Sequence, residues 1–402
     1  MARNLVTYCV VHQPRRLLLP AQVIPRGTAP KDMAPYLFDE AMNRHYFEKV
    51  ARWCYHPATD MFQSMLDDGY KLGLGFSVSF LHQLRRWDRR LANKFRRLVA
   101  HPSCELVGVE PYHSFSFGLD IGLFQSEMLR GKTYAEDYFQ KEIRVTDTTE
   151  MCMNNEIYFA LAKAGYRGAV LDGRPWVMEW REPTYIYNYD GRDLGLLCRH
   201  HELSDDVGYR FSNRTWSGFP LKADTYAGML GRAEGDLVFI GWDYETFGEH
   251  HNVDTGIFSF MSHLPAELRR QNIECLLPSE ALDRFGDHRP DLPLPPFGTT
   301  WAGSGGMEFF LGNDAQQAIY RLMHSVLNKA KLTGNTTLLD TAMWLLQSDN
   351  LHLIQWAGRS GSEAEVSAYF TPDEWWELGP DRILTEQQNV YKNFLHAMDE
   401  YA

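Results

Sequence analysis

Asp236-Leu-Val-Phe-Ile-Gly-Trp-Asp-Tyr-Glu-Thr-Phe-Gly-Glu-His-His251 is the stretch that decides how the rest of the chain is read. Its first part, Asp236 to Ile240, is a short apolar run with the length and composition of a buried strand. From Gly241 onward the polarity reverses. Asp243, Glu245 and Glu249 are interleaved with Trp242, Tyr244 and Phe247, and His250 and His251 close the stretch. A strand that ends in acids and aromatic rings is how a parallel barrel presents reactive groups at its mouth. Carboxylates beside rings also suit sugars, whose apolar faces stack on rings while their hydroxyls need acceptors. Taken alone, the stretch fits a solvated acidic turn equally well.

The pattern recurs along the chain. Leu5 to Val11 reads as a strand ending at His12-Gln13-Pro14, and Tyr70 to Phe76 as one ending at Ser77 and Ser79. Cys104 to Val109 runs into Glu110-Pro-Tyr-His113, Gly168 to Leu171 into Asp172-Gly173, and Asn272 to Leu277 into Pro278-Ser-Glu280. Helical spacing separates these runs at Phe38 to Trp53, Leu81 to Val99, Tyr134 to Glu142, Met151 to Ala164 and Gly256 to Arg270. Asp190-Gly191 stands between two short apolar runs as a hairpin-like turn. Alternating strands and helices argue for a parallel α/β architecture. Polar residues gathered at one end of the strands favour a barrel over the alternative, an open doubly wound sheet. No Gly-x-Gly-x-x-Gly follows the first strand, which weakens a dinucleotide reading.

Pro290, Pro293, Pro295 and Pro296 mark the clearest boundary. Beyond it, Asn313 to Lys331, Thr337 to Leu346 and Thr385 to Tyr401 carry helical periodicity. The expected organisation is a barrel over 1–298 and a C-terminal helical domain over 299–402, completing the substrate groove.

Composition narrows the function classes. A formal net charge of −12 without a basic run argues against nucleic acid or an anionic membrane as partner. Six cysteines without a Cys-x-x-Cys pair support neither a zinc knuckle nor a disulfide scaffold, so reduced thiols in a cytoplasmic protein are expected. No leader-like or membrane-spanning run is evident. An aromatic content of 13% fits a glycan-binding surface and a heavily aromatic core alike. Oligomeric state is left open.

Several segments together resemble glycoside hydrolase family 57, the retaining α-glucan enzymes that include α-amylases, 4-α-glucanotransferases and branching enzymes. His12-Gln-Pro14 resembles the first family motif, and Lys71-Leu-Gly-Leu-Gly-Phe-Ser77 stands where the second lies. Thr148-Thr-Glu150 followed by Asn154-Asn-Glu156 resembles the third, and Trp242-Asp-Tyr-Glu-Thr-Phe-Gly-Glu-His250 the fourth and most specific. Thr299-Thr-Trp-Ala302 with Leu311-Gly-Asn313 resembles the fifth, and Gln347-Ser-Asp-Asn350 a later substrate-contacting segment. There are departures. Val10 stands where the family often has a second histidine, and Asp147-Thr-Thr149 where related amylases usually read Arg-Asn-Thr. Gly303-Ser-Gly-Gly306 replaces a charged run.

The resemblance implies an incomplete TIM-like (β/α)7 barrel with a C-terminal α-helical bundle, acting on an α-glucan or maltooligosaccharide without cofactor or metal. It assigns Glu150 as nucleophile and Asp243 as acid/base. It implies substrate contacts from His12, Gln13, His113, Trp242, Glu245, Phe247, Trp301 and Asp349, with Trp301 stacking on a sugar face. The residues by themselves leave alternatives open. Glu150 also reads as a first-turn residue of the helix beginning near Met151, favoured there by the helix dipole. Asp243 also reads as a turn residue, Glu245 as part of a salt bridge, His12 as a structural histidine and Trp301 as a core tryptophan. Other activities consistent with the sequence are glucan transfer or branching, glucan binding without turnover, and metal-dependent deacetylation on a similar barrel.

Overall fold

The computed structural model describes residues 3–287 and 289–401. The apolar runs form nine strands among these residues: β1 Asn4–Val11, β2 Leu72–Phe76, β3 Cys104–Val107, β4 Val145–Thr146, β5 Gly168–Asp172, β6 Ile186–Tyr187, β7 Gly195–Arg199, β8 Val238–Asp243 and β9 Glu274–Leu276. Seven of them follow the order β3-β2-β1-β8-β7-β5-β4, all in parallel. A bridge from Gly108 to Thr146 links the end of β3 to β4, with Gly108 N donating to Val145 O at 2.9 Å and Asp147 N to Gly108 O at 2.7 Å. The ring is therefore nearly closed. β9 pairs with the start of β1, at Asn4–Val6, and β2 pairs with its end, at Tyr8–Val11. β6 is the antiparallel partner of β7, as the Asp190-Gly191 turn suggests. Strands buried on both faces read as continuous apolar runs, which is why the pattern was visible in sequence.

The lumen is filled by Val6, Tyr8 and Val10 of β1 with Val107, Val145, Val170, Leu197 and Phe239 from the surrounding strands. Two glycines make room for large neighbours. A Cβ on Gly75 would lie 2.6 Å from the Tyr8 hydroxyl, and one on Gly241 2.7 Å from Met151 Cε.

Several helices differ from the expected ones. The periodic stretch at Leu81 to Val99 is two helices, Val78–Trp87 and Arg89–Ala100, broken at Asp88, whose carboxylate caps the second through Leu91 N. The segment expected to end at Trp53 continues as a π-helical turn, Ala51–Tyr55, and then as His56–Asp67, because Pro57 sits in a first turn where its missing N–H costs nothing. The helix expected from Met151 begins at Asn155, capped by the Asn154 side chain on Ile157 N. Helix Ala223–Arg232 was not anticipated.

The chain divides into two compact units. The first comprises residues 1–13, 46–111 and 121–301 and holds the barrel. The second comprises residues 14–45, 112–120 and 302–402. It contains the helices Asp314–Leu332, Thr336–Leu345 and Pro380–Met398. Among the described residues no two cysteines form a disulfide, and no helix is long and apolar enough to cross a membrane.

Candidate active site

Asp243 is the last residue of β8, opposite Val10 of β1. Strand side chains alternate, so Asp243 shares a face with Phe239, which belongs to the lumen core. Trp242 must then face the other way. It is 2% exposed, its indole N–H donates to Ser204 O at 2.8 Å, and its ring meets the fully buried Phe247 edge-on at 5.5 Å. Trp242 and Phe247, expected as substrate contacts, both have their rings packed in the core. His251 is also structural, held by Ser212 Oγ at 2.9 Å and Gly208 O at 3.2 Å.

Glu150 follows β4 in a 3-10 turn, Thr149–Met151, with φ 57° and ψ 30°. Met151 also has a positive φ of 51°. Two consecutive non-glycine residues in the left-handed region cost roughly 1–3 kcal/mol each and persist only when neighbours hold them. Here the neighbours are identifiable. Met153 and Thr299 exchange backbone hydrogen bonds of 3.0 and 2.9 Å, aligning the two segments. Trp301 N then donates to Glu150 O at 3.1 Å, and the Trp301 indole N–H donates to Glu150 Oε2 at 2.6 Å. Glu150 is not a first-turn residue of the following helix, which starts five residues later at Asn155. Trp301 packs partly buried against the lumen core while its polar edge grips the carboxylate.

Trp301 is itself held. The Arg199 guanidinium lies 5.4 Å from its ring centre, and Arg174 donates to its carbonyl. Arg199 ends β7 and also donates to Gly241 O at 2.9 Å, Asp172 at 2.9 Å and Asp205 at 2.6 Å. Asp172 ends β5 in register with Arg199 and is 1% exposed. Burial pushes its carboxyl up, but Arg199, His201 and Arg174 outweigh burial and hold it below the usual range. Arg199, Arg174 and Tyr55 were not singled out from sequence. The one available signal was two neighbouring parallel strands ending in opposite charges.

Glu245 accepts a short bond of 2.5 Å from the Tyr55 hydroxyl. Tyr55 in turn accepts from the Gln13 amide at 3.0 Å, so Gln13, Tyr55 and Glu245 form one chain. Tyr55 sits on the π-helical turn, a departure from regular helix frequently found at functional sites. Burial and then the charge of Asp243 push Glu245 up to about 8, against the opposing hydrogen bond from Tyr55. Asp147, 2% exposed, is pushed to about 7 by burial, with Asp243 adding to the rise. Asp243 therefore lies in the electrostatic reach of two carboxyl groups that hold protons near neutrality. His12, just past β1, has its Nδ1 2.8 Å from Ser77 Oγ.

His113 and Asp349 belong to the second unit. His113, with φ 54°, places Nδ1 2.9 Å from Ser348 Oγ and 4.0 Å from an Asp349 carboxylate oxygen. In the same unit Gly303 and Gly305 take positive φ values of 52° and 98°, and Ser304 bonds to Glu308.

Comparison with known proteins agrees with this architecture. The profile of glycosyl hydrolase family 57 matches residues 11–293. A Methanocaldococcus jannaschii protein described as "Putative alpha-amylase" is 31% identical over 333 residues, covering 81% of this chain and 69% of its own length. The fold is similar to that of the Pyrococcus horikoshii GH57-type branching enzyme, with a TM-score of 0.67 at 14% identity over 98% of this chain and 97% of that one. It is also similar to the 4-alpha-glucanotransferase of Thermococcus litoralis, with a TM-score of 0.67 at 14% identity over 87% of this chain but only 56% of the transferase. The match over most of the chain, on a nearly closed seven-stranded barrel with C-terminal helices, means that the chain belongs to glycosyl hydrolase family 57.

Proposed function

We propose that this protein is a retaining enzyme acting on α-1,4-glucans, with Glu150 as nucleophile and Asp243 as acid/base. The observation that carries the reading is Glu150, held in a left-handed turn by the Trp301 indole, in the same barrel unit whose strand β8 ends at Asp243. A carboxylate kept in strained backbone by a dedicated donor is better explained by chemistry than by folding.

The reaction follows as a double displacement. Asp243 gives its proton to the glycosidic oxygen while a Glu150 oxygen attacks the anomeric carbon. The bond to the leaving sugar breaks, and a covalent glycosyl-enzyme forms. Asp243, now ionised, takes a proton from an incoming hydroxyl, whose oxygen attacks the same carbon and releases Glu150. Water as acceptor gives hydrolysis, and a sugar hydroxyl gives transfer. For the first step Asp243 must be protonated. His12, the residue after β1, is assigned to bond a sugar hydroxyl. Trp176 and Phe297, 45% and 59% exposed, stack at 6.3 Å and offer an apolar surface suited to sugar faces. The substrate class rests on family membership, since amylase, glucanotransferase and branching enzyme all appear among the related proteins.

The test is incubation with maltooligosaccharides and chromatographic analysis of the products. Shorter sugars alone indicate hydrolysis; longer and shorter sugars together indicate transfer. Turnover should vanish in Glu150→Gln. Absence of conversion on every α-glucan tried, or full activity in Glu150→Gln, overturns the assignment.

A further inference from the structure

Tyr8 occupies an unusual place for a polar side chain. It is fully buried in the lumen, lies 6.4 Å from Phe239 with the rings inclined by 25°, and fills the space above Gly75. Its hydroxyl donates to Asp147 Oδ2 at 2.9 Å. The other oxygen of Asp147 accepts from Thr148 N at 2.7 Å, and the Asp147 backbone is bonded to Gly108 O. Both ends of this contact are therefore fixed.

The contact crosses the barrel. Between β1 and the end of β4 lie β2 and β3 on one side, and β8, β7 and β5 on the other. The Tyr8–Asp147 bond joins opposite walls through the lumen. What it joins matters for the chemistry. Tyr8 pairs in register with Gly241, and Val10 with Asp243, so the β1 wall carries β8 with it. Asp147 is three residues before Glu150 and opens the turn that presents it. A retaining mechanism depends on the separation of its two carboxyl groups, and an error of about 1 Å in placement costs on the order of 100-fold in rate.

We propose that Tyr8 and Asp147 form a strut across the lumen that sets the spacing between Glu150 and Asp243. The inference rests on the assignment of Glu150 and Asp243 above. Both members of the strut are positioning residues. The titratable groups facing Asp147 are Tyr8 from β1 and Asp243 from β8, and Glu245 faces Asp243 in turn.

The experiment measures kcat and KM on a maltooligosaccharide for Tyr8→Phe, Asp147→Ala and the double variant, with thermal melting of each. The double variant should match Asp147→Ala alone, because each substitution removes one end of the same hydrogen bond. We expect kcat to drop about tenfold or more, with KM changed less than twofold. Tyr8→Phe keeps the ring and thus the lumen packing, which separates the strut from a folding defect. Variants with lowered melting temperature but wild-type kcat overturn the proposal, as do losses of kcat that simply add. Glu150→Gln is run alongside. If it is inactive while the strut variants behave as wild type, only the strut falls; if it retains turnover, the catalytic assignment falls and takes the strut with it.

Discussion

Replacing Trp301 with phenylalanine separates two roles for this ring. By sequence Trp301 was expected to stack on a sugar, and the structure has its indole N–H on the Glu150 carboxylate at 2.6 Å. Trp301→Phe keeps an aromatic face for a sugar and for the Arg199 guanidinium, and removes the donor. A hydrogen bond to a charged group contributes about 1.5–3 kcal/mol. The left-handed backbone of Glu150 costs roughly 1–3 kcal/mol. The two magnitudes are comparable, so loss of the donor is enough to let the turn relax and Glu150 leave its position. At about 1.4 kcal/mol per factor of ten, the fraction of molecules with Glu150 in place should fall about 10- to 100-fold, and kcat with it. KM should change little, because a ring remains. The assay is initial-rate kinetics on a maltooligosaccharide, with a melting curve to show that the fold is intact. A variant whose KM rises while kcat stays within twofold of wild type would refute the positioning role and restore the stacking one.

Two further outcomes follow from the same geometry. Glu245 is pushed up to about 8, far above its ordinary value of 4.5, so the folded state binds a proton that the unfolded state releases earlier. Its contribution to stability is complete below the ordinary carboxylate range and is lost as pH rises through about 8. Glu245→Gln should therefore flatten the decline of melting temperature between mildly acidic pH and pH 8; an unchanged slope would show that the proton resides elsewhere. Phe247→Ala should destabilise the fold by about 3–5 kcal/mol in urea titrations, as for a fully buried ring. KM should stay at its wild-type value, and a KM effect without loss of stability would return Phe247 to the substrate surface.

Much of the barrel was legible because its physics is local. A parallel strand buried on both faces must be apolar throughout, and its polar end must lie at the mouth. Leu5 to Val11 and Gly168 to Leu171 are read correctly on that basis, within a residue at each end. The misplaced helix start at Met151 also had a local signal. Asn154 is a preferred capping residue, and its side chain does accept from Ile157 N. Trp242 illustrates a constraint that strand alternation imposes by itself. Once Asp243 is taken to face the lumen, alternation turns Trp242 away, toward Ser204.

The sequence by itself determined the alternation of strands and helices, the end of the barrel at which the acids gather, and the two carboxylates whose motifs resemble the family's. These depend on hydrophobic period and on residue type, which neighbours along the chain express. The tertiary structure alone decided what holds those carboxylates. Trp301 reaches Glu150 across 151 positions and Tyr8 reaches Asp147 across 139, and no periodicity links them. It also decided that Glu150 sits at φ 57°, a conformation that no side chain of its kind prefers and that only contacts from distant segments can sustain.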